Sequence, residues 1–327
     1  MGPLPLPPSL LAKPFAVRDA VRLGIPEDRL RGADLWRPTH GVRMLDPPLD
    51  LVERARAFAA ASRSPFAFSH VTAAQLLGIL VSEEMETDCL LHIVRATTSN
   101  RMRRDEVRGH RGLEWRRSIL LDGVPVVEPC DTWVDLGEMV GGGKPAGLDD
   151  LIAAGDAVAN LARGVKPLKQ AIERRVRPRG KITLTYAVPR IRVGSASAME
   201  SRARLMIVRA GLPEPSLNQH VVSDFGEWLG CADLVWRAER VVGEYQGVRW
   251  HSSLEQQAAD EVRFARFRRN GWAVVPIVSD DVFEKNHRDA KLIELAEALG
   301  ADPQTLALGE AAPQFLAPQQ FRRPRRR

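Results

Sequence analysis

The 327-residue chain carries 47 Lys plus Arg against 41 Asp plus Glu, a net charge of +6, and 44% of it is apolar. That balance belongs to a soluble globular protein with room for two or three cores, and its Arg-rich excess suits bidentate contact with phosphate. Three widely spaced cysteines, Cys89, Cys130 and Cys231, with no Cys-x-x-Cys pair, offer neither a disulfide framework nor a zinc site. The proline-broken start is no signal peptide and no apolar run reaches membrane-spanning length, so a cytoplasmic protein without a membrane partner is expected.

In chain order, Phe15 to Leu23 has helical periodicity and stops at Gly24, and Pro26 opens a second helix to about Arg31. With Leu35 to Leu45 as a wing, residues 1–50 read as a winged helix-turn-helix, in which Arg37 and Arg43 would touch DNA phosphate. A small helical pair used only for packing is the other reading. Residues 51–190 read as a mixed α/β middle domain. Helices are expected over Leu51 to Ala61, Ser69 to Gly78, Cys130 to Leu136 and Leu148 to Leu161, with Ser69 a possible N-cap and His70 an interface or capping residue. Leu90 to Val94 reads as a strand, and Ile119 to Val127, broken by Asp122-Gly123, as a hairpin arm. The segment from Arg163 to Arg192 is a basic linker, either a solvated face or a surface on which Lys181, Arg190 and Arg192 follow a nucleic-acid backbone.

Residues 191–300 carry the chemistry. Ser197-x-x-Glu200 opens a helix as a capping box, with Glu200 on the border of its core stripe. Two apolar runs, Cys231 to Trp236 and Val241 to Gly247, flank a short polar insert and read as a β-hairpin. A turn centred on Ala238-Glu239 sets Asp233 directly across from Glu244, with Gln246 on the same face. Two carboxylates so close repel each other unless a cation sits between them. His251 follows, then a helix from about Leu254 to Asn270 carrying Asp260 and Arg263, then an apolar strand at Gly271 to Ile277. From about Ala301 periodicity fades, and residues 301–327 are expected to be a disordered, Arg-rich tail.

The motifs Ser197-x-x-Glu200, Gly211-Leu212-Pro213-x-Pro215, Ala232-Asp233-Leu234, Glu244-Tyr245-x-Gly247, His251, Asp260-x-x-Arg263 and Gly271-Trp272 occur in order. Over about Gly194 to Leu299 they resemble the PD-(D/E)XK nuclease superfamily, and within it the branch related to very short patch repair endonucleases. The front, through Gly24, Leu30, His40-Gly41-Val42, Ser69-His70-x-x-Ala73-Ala74 and Gly123-Val124-Pro125-Val126, is more loosely similar to abortive-infection type IV antitoxins. The resemblance implies an α+β, multi-domain protein ending in a restriction-endonuclease-like αβββαβ core, and a DNA endonuclease using Mg2+ or Mn2+.

The metal ligands it implies are Asp233, Glu244 and the main-chain carbonyl of Tyr245. Glu200 would support a second metal or a water, His251 would accept a proton or contact phosphate, and Arg263 would hold the scissile phosphate. Asp260 and Arg263 read equally well as a surface i,i+3 pair. One departure stands out: where the superfamily usually has Lys, and this branch an acidic residue, the chain has Gln246, which can align a water but not exchange a proton usefully. The alternative is therefore a non-enzymatic DNA-binding regulator or antitoxin with a degenerate nuclease domain. A nuclease that cuts both strands would work as a homodimer.

Overall fold

The computed structural model describes residues 5–11, 13–100, 102–141, 143–247 and 254–315. The fold is mixed α/β. By its internal packing the chain divides into two compact units. The first takes the residues up to Ile79, Glu83–Leu136 and Glu173–Arg177; the second takes Leu80–Ser82, Gly137–Ile172 and everything from Pro178 on. Among the described residues no helix is long and apolar enough to cross a membrane.

In the first unit, strands β1 (Phe15–Ala16) and β2 (Val42–Arg43) form a two-stranded antiparallel ribbon. A short helix, Val17–Arg22, follows β1. The expected second helix is absent: the segment after Pro26 makes one 3-10 turn, Arg29–Arg31, whose carbonyls are taken up locally. Leu30 and Leu35 are buried with Phe15 and Ala20 in a small core of their own, and nothing of recognition-helix length forms. Nor do residues 1–50 end at a unit boundary, since Arg18 donates to the carbonyl of Ala61 at the end of the helix Leu51–Ala61.

A six-stranded sheet forms the rest of this unit. Its strands are β3 (Ala67–Phe68), β4 (Leu91–Arg95), β5 (Arg103–Arg104), β6 (Val107–Arg111), β7 (Ser118–Leu121) and β8 (Val124–Val127), in the order β5-β6-β4-β3-β8-β7. Asp122 and Gly123 both take positive φ, the geometry that a two-residue hairpin turn requires, and join β7 to β8. Ser69 occupies the N-cap position of the helix His70–Leu76, but its hydroxyl caps no backbone N–H and meets His70 Nδ1 instead.

The second unit is built on a four-stranded sheet of order β12-β11-β10-β9, from β9 (Ser216–Val222), β10 (Trp228–Trp236), β11 (Val241–Tyr245) and β12 (Ala273–Ile277). All pairs are antiparallel except β11 with β12. In chain order the helix Ala198–Arg209 precedes β9, β10 and β11, and the helix Leu254–Arg269 comes before β12. One core, with Leu234, Trp236 and Val275, receives Met206 and Ile207 from the first of these helices and Leu292 and Leu295 from the helix Lys285–Ala298. Another, with Val235 and Val242, receives Phe264 and Phe267 from the helix Leu254–Arg269. Alternation of side chains along β10 and β11 explains this division.

Residue 190 is no unit boundary either, because buried ion pairs tie the helix Leu148–Leu161 to the helix Ala198–Arg209. Asp156 accepts from Arg204 at 2.9 Å and from Ser201 at 2.7 Å, and Asp149 pairs with Arg209. The expected basic linker is itself largely helical, over Lys166–Arg174 and Lys181–Ala187. Of the expected tail, residues 301–315 are packed: Ala311 is buried, and Leu306 and Leu308 lean on the same core as Trp236. Their apolar side chains are spaced for contact with a ready-made surface, a signal invisible to periodicity. The remainder of that tail lies outside the described residues.

Candidate functional site

β10 and β11 pair as Leu234 with Gly243, Val235 with Val242 and Trp236 with Val241. Extending that register by one step sets Asp233 opposite Glu244, which brings Cβ atoms to about 4.5–5.5 Å. Both acids therefore lie on the Val235 and Val242 face, under the helix Leu254–Arg269. Position in the sheet explains their burial: Glu244 is only 2% exposed and Asp233 is half-buried.

Among the described residues, each carboxylate has one fixed contact. Asp233 Oδ2 accepts from the Tyr245 backbone N–H at 2.8 Å, and Glu244 Oε2 accepts from Arg263 Nη2 at 2.9 Å. Arg263 also pairs with Asp260 at 3.1 Å, the i,i+3 contact of one of the two sequence readings. Among the described residues, Glu244 Oε1 is buried without a hydrogen-bond partner. Burial pushes the Asp233 carboxyl up to about 6, and the negative charge of Glu200 pushes the same way. Burial pushes Glu244 up to about 8, Asp233 adds to the rise, and Arg263 opposes it.

Glu200 is buried at the start of its helix. Its Oε2 accepts from the Ala196 N–H at 2.8 Å and from Asn218 Nδ2 at 2.7 Å, while its own N–H donates to Ser197 Oγ. It thus caps the helix, and acts on Asp233 through charge. Gln246 follows the end of β11, half-buried, with its N–H given to the carbonyl of Ile277. Tyr245 packs its ring toward the Trp236 core. His251 lies outside the described residues.

Of the expected nucleic-acid contacts, Arg263 is the one shown on these acids among the described residues, and most of the others have local partners. Arg43 in the first unit folds back, donating to the carbonyls of Leu30 and Val42, and Arg37 donates to that of Arg31. In the second unit Arg190 lies over the Tyr186 ring at 3.6 Å and Arg192 pairs with Glu214 at 2.9 Å. Lys181 is exposed at the start of its helix.

The donor set at Asp233 and Glu244 is all oxygen, the chemistry of Mg2+ and Mn2+ and not of a softer ion. A buried carboxyl oxygen without a partner among the described residues is what a bound cation would satisfy, displacing the proton that burial favours, so these residues fit such a metal. Glu200 is not a third close ligand: among the described residues the group of three whose donor atoms lie within 4.8 Å of one another is His70, His92 and His110. That trio went unread in the sequence, where His70 stood as a capping residue and the others carried no motif.

Two relatives bear on this chain. Both are uncharacterized proteins of Mycobacterium tuberculosis, one from strain CDC 1551 and one from strain H37Rv, each 36% identical over 104 residues. The match takes in 32% of this chain and spans 38% of each relative's length. No family model and no solved structure matches the chain.

Proposed function

We propose that the second unit is a metal-dependent endonuclease of restriction-endonuclease-like fold that hydrolyses phosphodiester bonds in DNA. The observation that carries this reading is that Asp233 and Glu244, one step beyond the Leu234–Gly243 pair of β10 and β11, act on each other through charge, with Glu244 Oε1 buried and without a hydrogen-bond partner among the described residues. The element order helix, three strands, helix, strand supports it as well. Asp233 and Glu244 would hold Mg2+ or Mn2+, which when bound neutralises phosphoryl oxygens and supplies a water of lowered pKa. The Tyr245 N–H fixes the Asp233 carboxylate, so one of its oxygens keeps a constant aim. Arg263, one-third exposed and 2.9 Å from Glu244, is available to a phosphate oxygen once metal takes its place on Glu244.

Incubating the purified chain with plasmid and Mn2+ tests this. Cleavage should be lost in Asp233→Asn and Glu244→Gln, together with calorimetric Mn2+ binding. Equal cleavage by wild type and both variants would overturn it. A second reading, a DNA-binding protein with a degenerate nuclease domain, draws on Gln246 and on Arg263 already neutralising Glu244. Metal-independent duplex binding without any cleavage would favour it.

A further inference from the structure

In the first unit, β4 and β6 are parallel neighbours, with His92 opposite Arg108 and Val94 opposite His110. His92 and His110 therefore lie two positions apart on one face of the sheet. His70 reaches them from the start of the helix that follows β3, where the Ser69 N–H is bonded to the carbonyl of His92. The His70 and His110 rings stack at 3.6 Å between centroids, and the His92 ring is 5.1 Å from that of His110. His70 and His92 are fully buried, while His110 is partly open.

The outer faces of these rings are held by acids. His92 Nε2 contacts Asp88 Oδ2 at 3.1 Å, which makes it the protonated nitrogen and turns the Nδ1 lone pair inward. His70 Nδ1 contacts Ser69 Oγ at 3.0 Å and faces Asp135 Oδ2 at 3.8 Å, leaving Nε2 as its ligand atom. Asp135 is itself locked by Arg116 at 2.7 Å and Arg175 at 2.8 Å. A carboxylate behind an imidazole is the arrangement that orients metal-ligating histidines.

We propose that His70, His92 and His110 form a binding site for a borderline divalent transition ion, of which Zn2+ is the representative. Four-coordinate zinc with Zn–N bonds of ~2.0–2.1 Å sets its ligand nitrogens about 3.3–3.5 Å apart. His110 Nε2 and His92 Nδ1 stand 3.2 Å apart, and the three donor atoms lie within 4.8 Å of one another, so closure on an ion needs only a small contraction. Three protein ligands leave a fourth position, and the open side of His110 gives solvent or an anion access to it. The sequence offered no zinc site because cysteine was the only ligand counted; these ligands are histidines brought together by strand pairing.

Chelator-stripped full-length protein, titrated with Zn2+ and then desalted, should retain one ion per chain. His92→Asn and His110→Gln should each abolish that retention, and Asp88→Asn should weaken it by ~10–100-fold. The double variant Asp233→Asn, Glu244→Gln should retain the ion, which separates this site from the carboxylate one. X-ray absorption of the wild-type zinc form should report three imidazole nitrogens at ~2.0–2.1 Å and needs no variant to fold. No retained zinc, equal retention in the histidine variants, loss in the carboxylate variant, or a shell with fewer than three imidazoles would each overturn the site and leave a hydrogen-bonded histidine stack.

Discussion

The Tyr245 backbone N–H donates to Asp233 Oδ2 at 2.8 Å across the β10–β11 pair, one residue beyond Glu244. This contact orients one acid of the pair while the other keeps a buried oxygen without a partner among the described residues. A strand N–H spent on a side chain is unusual, because ladder N–H groups normally go to carbonyls. Here it charge-stabilises a carboxylate against the repulsion of its neighbour.

The metal-free protein should lose stability as pH rises. Glu244 moves from 4.5 to about 8 on folding and Asp233 from 3.8 to about 6, so the fold binds their protons more tightly than the unfolded chain does. Their contribution is full below about pH 4, the unfolded range, and is gone above about pH 8. Thermal melts in a chelator should show Tm falling by on the order of 5 °C between pH 5 and pH 8.5. Glu244→Gln should flatten that slope, and saturating Mn2+ should raise Tm most at the alkaline end. A pH-independent Tm would contradict the burial of the pair.

Arg263→Met should move the same pH transition upward. The guanidinium lowers both acids, and its loss removes the only cation shown on Glu244 among the described residues. The pH midpoint of the melt series is the measurement, and an unchanged midpoint would mean that solvent screens the pair. With the competing cation gone, Mn2+ should also bind more tightly above pH 8.

Asp156→Ala should cost about 3–5 kcal/mol, the range for removing one partner of a buried ion pair. Asp156 and Arg204 are both about 1% exposed, and Asp156 also accepts from Ser201 and from the Arg192 N–H. Its loss leaves the buried Arg204 guanidinium with Glu214, at 3.3 Å, as its carboxylate partner. Urea unfolding checks the figure, and a change under 1 kcal/mol would show that Arg204 finds another outlet.

Gly180→Ala should be strongly destabilising for a backbone reason. Gly180 sits at φ +73, and an added Cβ would fall 2.0 Å from the Gly137 carbonyl oxygen. The left-handed backbone alone costs an alanine roughly 1–3 kcal/mol, and the clash is with main chain that cannot swing aside. The chain from Lys181 should then unpack from Gly137, detected as faster amide exchange over 181–187.

Much of the second unit was legible in the chain itself. Apolar alternation on both sides of Arg237 to Arg240 fixed the hairpin, and symmetry of residue numbers about Ala238-Glu239 gave the pairing of Asp233 with Glu244. The helices Leu51–Ala61, Leu148–Leu161 and Leu254–Arg269 were readable from their period for the same reason: the signal is local. What failed was also local in origin. Pro26 is as good an opening for a 3-10 turn as for a helix, and only the burial of Leu30 in a small core decided between them.

Local patterning dictates which residues lie next to one another along strands and helices, and with them the β10–β11 register, since a hairpin's register needs only one turn. Tertiary structure alone decided which distant segments meet. His70, His92 and His110 belong to three elements joined by strand pairings that no periodicity specifies, and Arg263 reaches Glu244 only because the helix Leu254–Arg269 packs over that face. Side-chain period is written in the chain, whereas the choice of non-local partner rests on the summed burial of many residues, and no short motif carries it.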